Sequence, residues 1–139
     1  MTLRKGLEFS YVNPICMLYH AATNCESFHD VVCARMQDNP SSPRNKWSII
    51  LYSDEIVCGD PLAPAQDSRK VQAVYWSLKE LGSKTLSCQE AWMTLVALRS
   101  KHVESIGGLS VLTNHLLNTF HNPDLDISNG IMIDRKSVV

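Results

Sequence analysis

The chain has 139 residues, 45% hydrophobic and 19% charged, which excludes a disordered polar tail. Thirteen Lys and Arg stand against fourteen Asp and Glu, and a net charge of −1 excludes a global electrostatic drive toward nucleic acid or an anionic membrane. No apolar run approaches the ~18 residues that span a bilayer, the N-terminus lacks the apolar centre of a secretory signal, and five irregularly spaced cysteines fit free thiols, so the reading is an intracellular chain of the nucleus or cytoplasm with no membrane partner.

Asn13-Pro14 is a helix start: Asn accepts from the first free amides, and Pro at the first helical position loses no bond. Ile15, Leu18, Ala22, Cys25, His29, Val32 and Met36 then recur at helical spacing, which predicts a helix over 14–37 with a break near Thr23-Asn24. The prolines and serines of 39–44 stop it and mark the most plausible boundary. The division expected is a helical segment with its linker over 1–45 and a partial α/β domain over 46–139.

Trp47–Tyr52 is apolar on both faces, which predicts a central strand ending in Ser53-Asp54-Glu55. Gly59, Pro61 and Pro64 make a loop, and 70–78 is a second strand that returns as a wide hairpin. Ser87-Cys88-Gln89-Glu90 matches a capping box and predicts a helix to about His102 that buries Trp92, Leu95, Val96 and the stem of Arg99. Past Gly107-Gly108, the residues Leu109, Leu112, Leu116, Leu117 and Phe120 share one face of another helix, closed by Asn122-Pro123. Asn129-Gly130 is a tight-turn signal leading into a strand start at Ile131–Ile133. So few strands leave a sheet with open edges, and the expectation is a truncated piece of a larger α/β or α+β protein.

The chemistry on offer is sparse. Asp54 and Glu55 stand at a strand end, with Asp60 and Asp67 in the next loop. Paired carboxylates can hold two divalent ions for phosphodiester cleavage, but neighbours in a strand point to opposite faces, and a solvated acidic strand end is the plainer reading. Cys25, His29 and Cys33 lie four apart on one helical face, with Cys16 and His20 earlier. Thiolate and imidazole at that spacing can bind zinc, yet Cys25 and His29 fall on the apolar stripe, so a buried thiol and a satisfied core histidine are the better account. Cys58 sits beside acids that oppose a reactive thiolate. No Gly-rich phosphate loop or nucleophile elbow is present. Trp47, Tyr52, Tyr75 and Trp76 lack the basic field that base stacking on nucleic acid needs, and read as core.

The run Trp47-Ser-Ile-Ile-Leu-Tyr-Ser-Asp54-Glu55, then Gly59-Asp-Pro-Leu, then Arg69 through Gly82, resembles an uncharacterised family of protist and algal proteins. That family is in turn similar to transposase-derived proteins of eukaryotic cut-and-paste mobile elements, over about 40–133. The resemblance implies an incomplete ribonuclease-H-like sheet of the DDE transposase type, with Asp54 as the first acidic residue. In an intact parent Asp54 would be a catalytic metal ligand for Mg²⁺, and DNA would be the partner. The further acidic positions would fall beyond Val139, so no cofactor and no catalysis are expected of this chain. Two functions follow as expectations: an inactive transposase-like fragment, or a non-enzymatic α/β interaction module whose open strand edges pair with another chain. A zinc-binding helical module is a third.

Overall fold

A computed structural model describes residues 8–59, 69–122 and 125–126. The order is α1 (Pro14–Asn24), α2 (Glu26–Asp38), β1 (Ile49–Val57), β2 (Lys70–Leu78), α3 (Ser83–Leu86), β3 (Met93–Arg99), α4 (Ser100–Ser105), α5 (Leu109–Phe120) and the two short strands β4 (His121–Asn122) and β5 (Leu125–Asp126). Single 3₁₀ turns at Lys79–Leu81 and Gln89–Ala91 follow β2 and precede β3. This is an α+β arrangement, with an antiparallel three-stranded sheet in the order β1-β2-β3.

The helix start behaves as the sequence requires. The Asn13 side chain accepts from the Ile15 and Cys16 amides at 3.0 and 3.1 Å, and Pro14 occupies the first turn. The predicted break falls at Cys25, whose extended backbone caps α1 and opens α2. Leu18, Ala22 and Val32 carry the buried stripe. The Pro/Ser stretch is a turn in which Ser42 and Asn45 exchange backbone bonds of 3.0 Å, and the Trp47 indole donates to the Asn39 carbonyl at 2.9 Å.

β2, not β1, is the central strand. Its residues from Ala73 to Leu78 are buried apart from Tyr75, which is half-buried, and β1 and β3 flank it on either side. Val74, Trp76 and Leu78 face the main core, where Trp76 meets Phe120 edge-on at 5.3 Å. On the opposite face Ser77 is fully buried, and its hydroxyl donates to the Ala91 carbonyl at 2.7 Å. β1 is an edge strand, which corrects the expectation of an interior one. Its double-sided apolarity has another cause: Ile49 and Leu51 lie against the core, while Tyr52 packs on Tyr75 across the other face. It also runs on to Val57, so Asp54 lies inside the strand, not at its end. Ser53, Asp54 and Glu55 stay half-exposed or exposed there, so pairing with β2 desolvates none of them fully.

The second correction concerns 87–102. No capping box forms, since Cys88 opens only a single 3₁₀ turn with no side-chain cap bond, and Met93–Arg99 is strand. The β2–β3 register shifts between Val74, paired with Val96, and Tyr75, paired with Thr94. Leu95 is therefore the extra residue of a bulge, which lets Leu95 and Val96 both turn into the core at 0% and 2% exposure. Two adjacent inward residues break the strand alternation and imitate the three-and-four spacing of a helix. The bulged Leu95 carbonyl accepts the Val12 amide at 2.9 Å, so the segment before α1 lies on the outer side of β3, with Phe9 buried beside it.

α4 and α5 cover the core face of the sheet through Val103, Ile106, Leu112, Leu116 and Phe120, while Leu109 and Leu117 of the predicted stripe stand exposed. Between them Gly107 and Gly108 take φ of 110° and 91°, which suits glycine alone. Leu18 and Val32 from the first helices join the same hydrophobic cluster, and Arg35 of α2 donates to the Leu81 carbonyl at 3.2 Å. The predicted strand start at Ile131–Ile133 and the Asn129-Gly130 turn lie outside the described residues.

Candidate functional site

The parity of the β1–β2 ladder decides which backbone groups are spare. Lys79 N–H donates to the Ser48 carbonyl at 2.9 Å, and the register that opposes Ile49 to Leu78 also opposes Ser48 to Lys79. In an antiparallel ladder alternate residues turn both N–H and C=O to one side. Ile50, Tyr52, Asp54 and Ile56 therefore address β2, and Ile49, Leu51, Ser53, Glu55 and Val57 address the outer side. Among the described residues nothing pairs with that outer side. Tyr52, Ile56 and Val57 of the same strand are large hydrophobics standing 53%, 40% and 41% exposed. An unpaired edge carrying exposed apolar side chains is a template for another strand.

Beside this edge lies a shallow aromatic hollow of about 470 Å³, walled by Tyr52, Tyr75, Gln89 and Trp92. Tyr52 sits opposite Tyr75 in register, with ring centroids 6.3 Å apart and planes 25° from parallel. The Trp92 ring stands 6.0 Å from Tyr52, tilted 59°, and is fixed by its indole N–H donating to the Leu86 carbonyl at 2.9 Å. The hollow thus has one wall on the open strand and one on a pinned indole.

No protein-family model, curated protein or solved structure matches the chain.

The acidic candidates separate as strand geometry demands. Asp54 is exposed on the aromatic face of the sheet, with its carbonyl taking a second bond from the Gln72 amide at 3.1 Å. Glu55 points to the other face and lies 3.6 Å from the Lys70 ammonium. Asp60 and Asp67 lie outside the described residues. Among the described residues Asp54 is thus separated from Glu55 by strand parity, and the further carboxylates that the transposase resemblance implies for a pair of ions would have to come from outside them.

The cysteine and histidine candidates are less buried than expected. Cys16 and Cys25 are exposed, and Cys33 and His29 are half-buried. The stripe drifts around the helix past the break at Cys25, which leaves Val32 as the buried residue of α2. The Cys33 thiol lies 3.5 Å from His29 Nε2, a local pair on one helix. The Ser27 hydroxyl, and after it the Phe28 amide, hold the Cys25 thiol below the usual cysteine range. Among the described residues no cluster of three or more His, Cys, Asp or Glu side chains is placed to hold a metal ion, and no helix is long and apolar enough to cross a membrane.

Sequence reasoning assigns Tyr52, Tyr75 and Trp92 to the core. The signal that finds them is the pairing itself: once Tyr52 and Tyr75 are opposed on one face, that face has more aromatic surface than anything above it covers.

Proposed function

We propose that the chain is a non-enzymatic interaction module that takes up an extended peptide segment along β1. The open edge of β1 carries this reading: five outward residues with spare backbone groups lie beside a hollow for one side chain of the guest. Main-chain bonds along such an edge give affinity, and adjoining pockets for alternate side chains give selectivity. The hollow is lined by rings and one amide side chain, so an aromatic or long aliphatic guest residue suits it. Selection from a random-peptide display library tests the reading. Enriched peptides should bind the chain, and Ser53→Pro, which removes an outward N–H and sets a ring into the edge, should weaken them by about tenfold or more. Tyr52→Ala should weaken those that fill the hollow. No enrichment, or peptides indifferent to Ser53→Pro in a variant that melts like the parent, would sink the proposal.

The second reading is a chain related to mobile-element transposases, with Asp54 as a former or partial metal ligand. Its support is the exposed Asp54 carboxyl on a strand that a second strand follows, with helices α4 and α5 later in the chain, although Met93–Arg99 is strand where the resemblance implies helix. It makes a different prediction for the purified chain in Mg²⁺ or Mn²⁺ with supercoiled DNA. The interaction reading expects no nicking, and nicking that disappears in Asp54→Ala would replace it with the nuclease.

A further inference from the structure

Resting on the edge reading above, we infer that the segment taken up by β1 is the β1 of a second copy, paired antiparallel about a two-fold axis through Ser53. The sequence of the strand is what singles out this partner. Ile49-Ile50-Leu51 opens it and Ile56-Val57 closes it, with Ser53, Asp54 and Glu55 between. A two-fold through Ser53 opposes Ile49 to Val57 and Ile50 to Ile56 of the other copy, so aliphatic meets aliphatic at both ends.

The other symmetric registers are poorer. An axis through Asp54 or Glu55 sets two like carboxylates directly opposite each other, which destabilises a pair. An axis through Tyr52 opposes only Ile49 through Glu55 and leaves Ile56 and Val57 without a partner from the strand. Only the axis at Ser53 uses all nine residues of the strand and gives each acid a neutral partner: Tyr52 for Asp54 and Leu51 for Glu55. The ladder parity agrees, since Ser53 turns its backbone N–H and C=O outward and would exchange bonds with its own copy on the axis.

The consequence is one continuous sheet, three strands from each copy, with both aromatic hollows on one side and both helical layers on the other. Tyr52, Ile56 and Val57, exposed in the single chain, gain cross-strand neighbours there.

The test is a charge swap that only self-pairing in this register can satisfy. Ile50→Lys alone and Ile56→Glu alone each place a charge against an aliphatic residue, twice per dimer, and should weaken self-association in sedimentation equilibrium by about tenfold or more. The double variant sets the introduced ammonium of each copy opposite the introduced carboxylate of the other, and should recover to within about threefold of the parent. The two positions are too far apart along an extended strand to meet within one chain. Hydrogen exchange on the unaltered chain supplies a readout that needs no variant: amides of Leu51, Ser53 and Glu55 should slow as concentration rises, and those of Tyr52 and Asp54 should not change. A parent chain that remains monomeric at every concentration overturns the inference, as does a double variant no better than the singles while all melt alike. If the parent is monomeric but still binds selected peptides in a Ser53-dependent way, self-pairing fails and the edge reading stands. If Ser53→Pro alters neither behaviour, both fall together.

Discussion

Trp76→Ala is expected to remove about 3–5 kcal/mol of folding stability, read as a fall in the urea midpoint. Trp76 is fully buried on the central strand and stands edge-on to Phe120, 5.3 Å between centroids and 77° between planes. That contact joins the sheet to α5, so truncation opens a void between the two layers and removes an aromatic pair worth about 0.5–1.5 kcal/mol beyond its area. Against a total of about 5–15 kcal/mol for an ordinary domain, the variant would be close to unfolding. Trp76→Phe should lose much less. The indole Nε1 is buried and has no hydrogen-bond partner among the described residues, so phenylalanine removes that donor while keeping a ring against Phe120. A Trp76→Ala chain within about 1 kcal/mol of the parent would place the core elsewhere.

The second large effect distinguishes the bulged strand from a regular one, in which residues two apart share a face. Leu95→Ala should cost about 2–5 kcal/mol, because Leu95 is fully buried at the bulge. Ala97→Leu should change stability by no more than about 0.5 kcal/mol, because Ala97 is exposed on the far side of the same strand. Both are followed by the same denaturant curve. Similar losses at the two positions would mean that Leu95 and Ala97 share an environment, and the bulge would then be wrongly placed.

Much of this fold is legible in the residues. Asn13-Pro14 starts α1, the three-and-four spacing of Leu109, Leu112, Leu116 and Phe120 defines α5, and the β-branched runs give both strands of the first hairpin. The failures share a physical origin: a reading along the chain weighs each residue without its neighbours across the sheet. Leu95 and Val96 both turn inward only because a bulge leaves Leu95 unpaired between the Val74–Val96 and Tyr75–Thr94 pairs, and no local propensity announces that bulge. Likewise Trp47–Tyr52 is apolar on both sides whether a strand is interior or, as here, an edge with an aromatic neighbour on one face. The hollow escapes a linear reading for the same reason, since Gln89 and Trp92 reach Tyr52 only through β2 lying between them. Asp54 is easily found as a carboxylate, but its placement within β1 depends on the strand extending to Val57.

The two margins of the sheet are unequal. Val12 is already bonded over β3, with Phe9 tucked in beside it, while β1 offers its spare groups. If β1 pairs with its own copy as proposed, the Val12–Leu95 bond stands in the way of a further strand at the opposite margin, and releasing that N-terminal strap would give the pair a second adhesive side from which a fibre could grow.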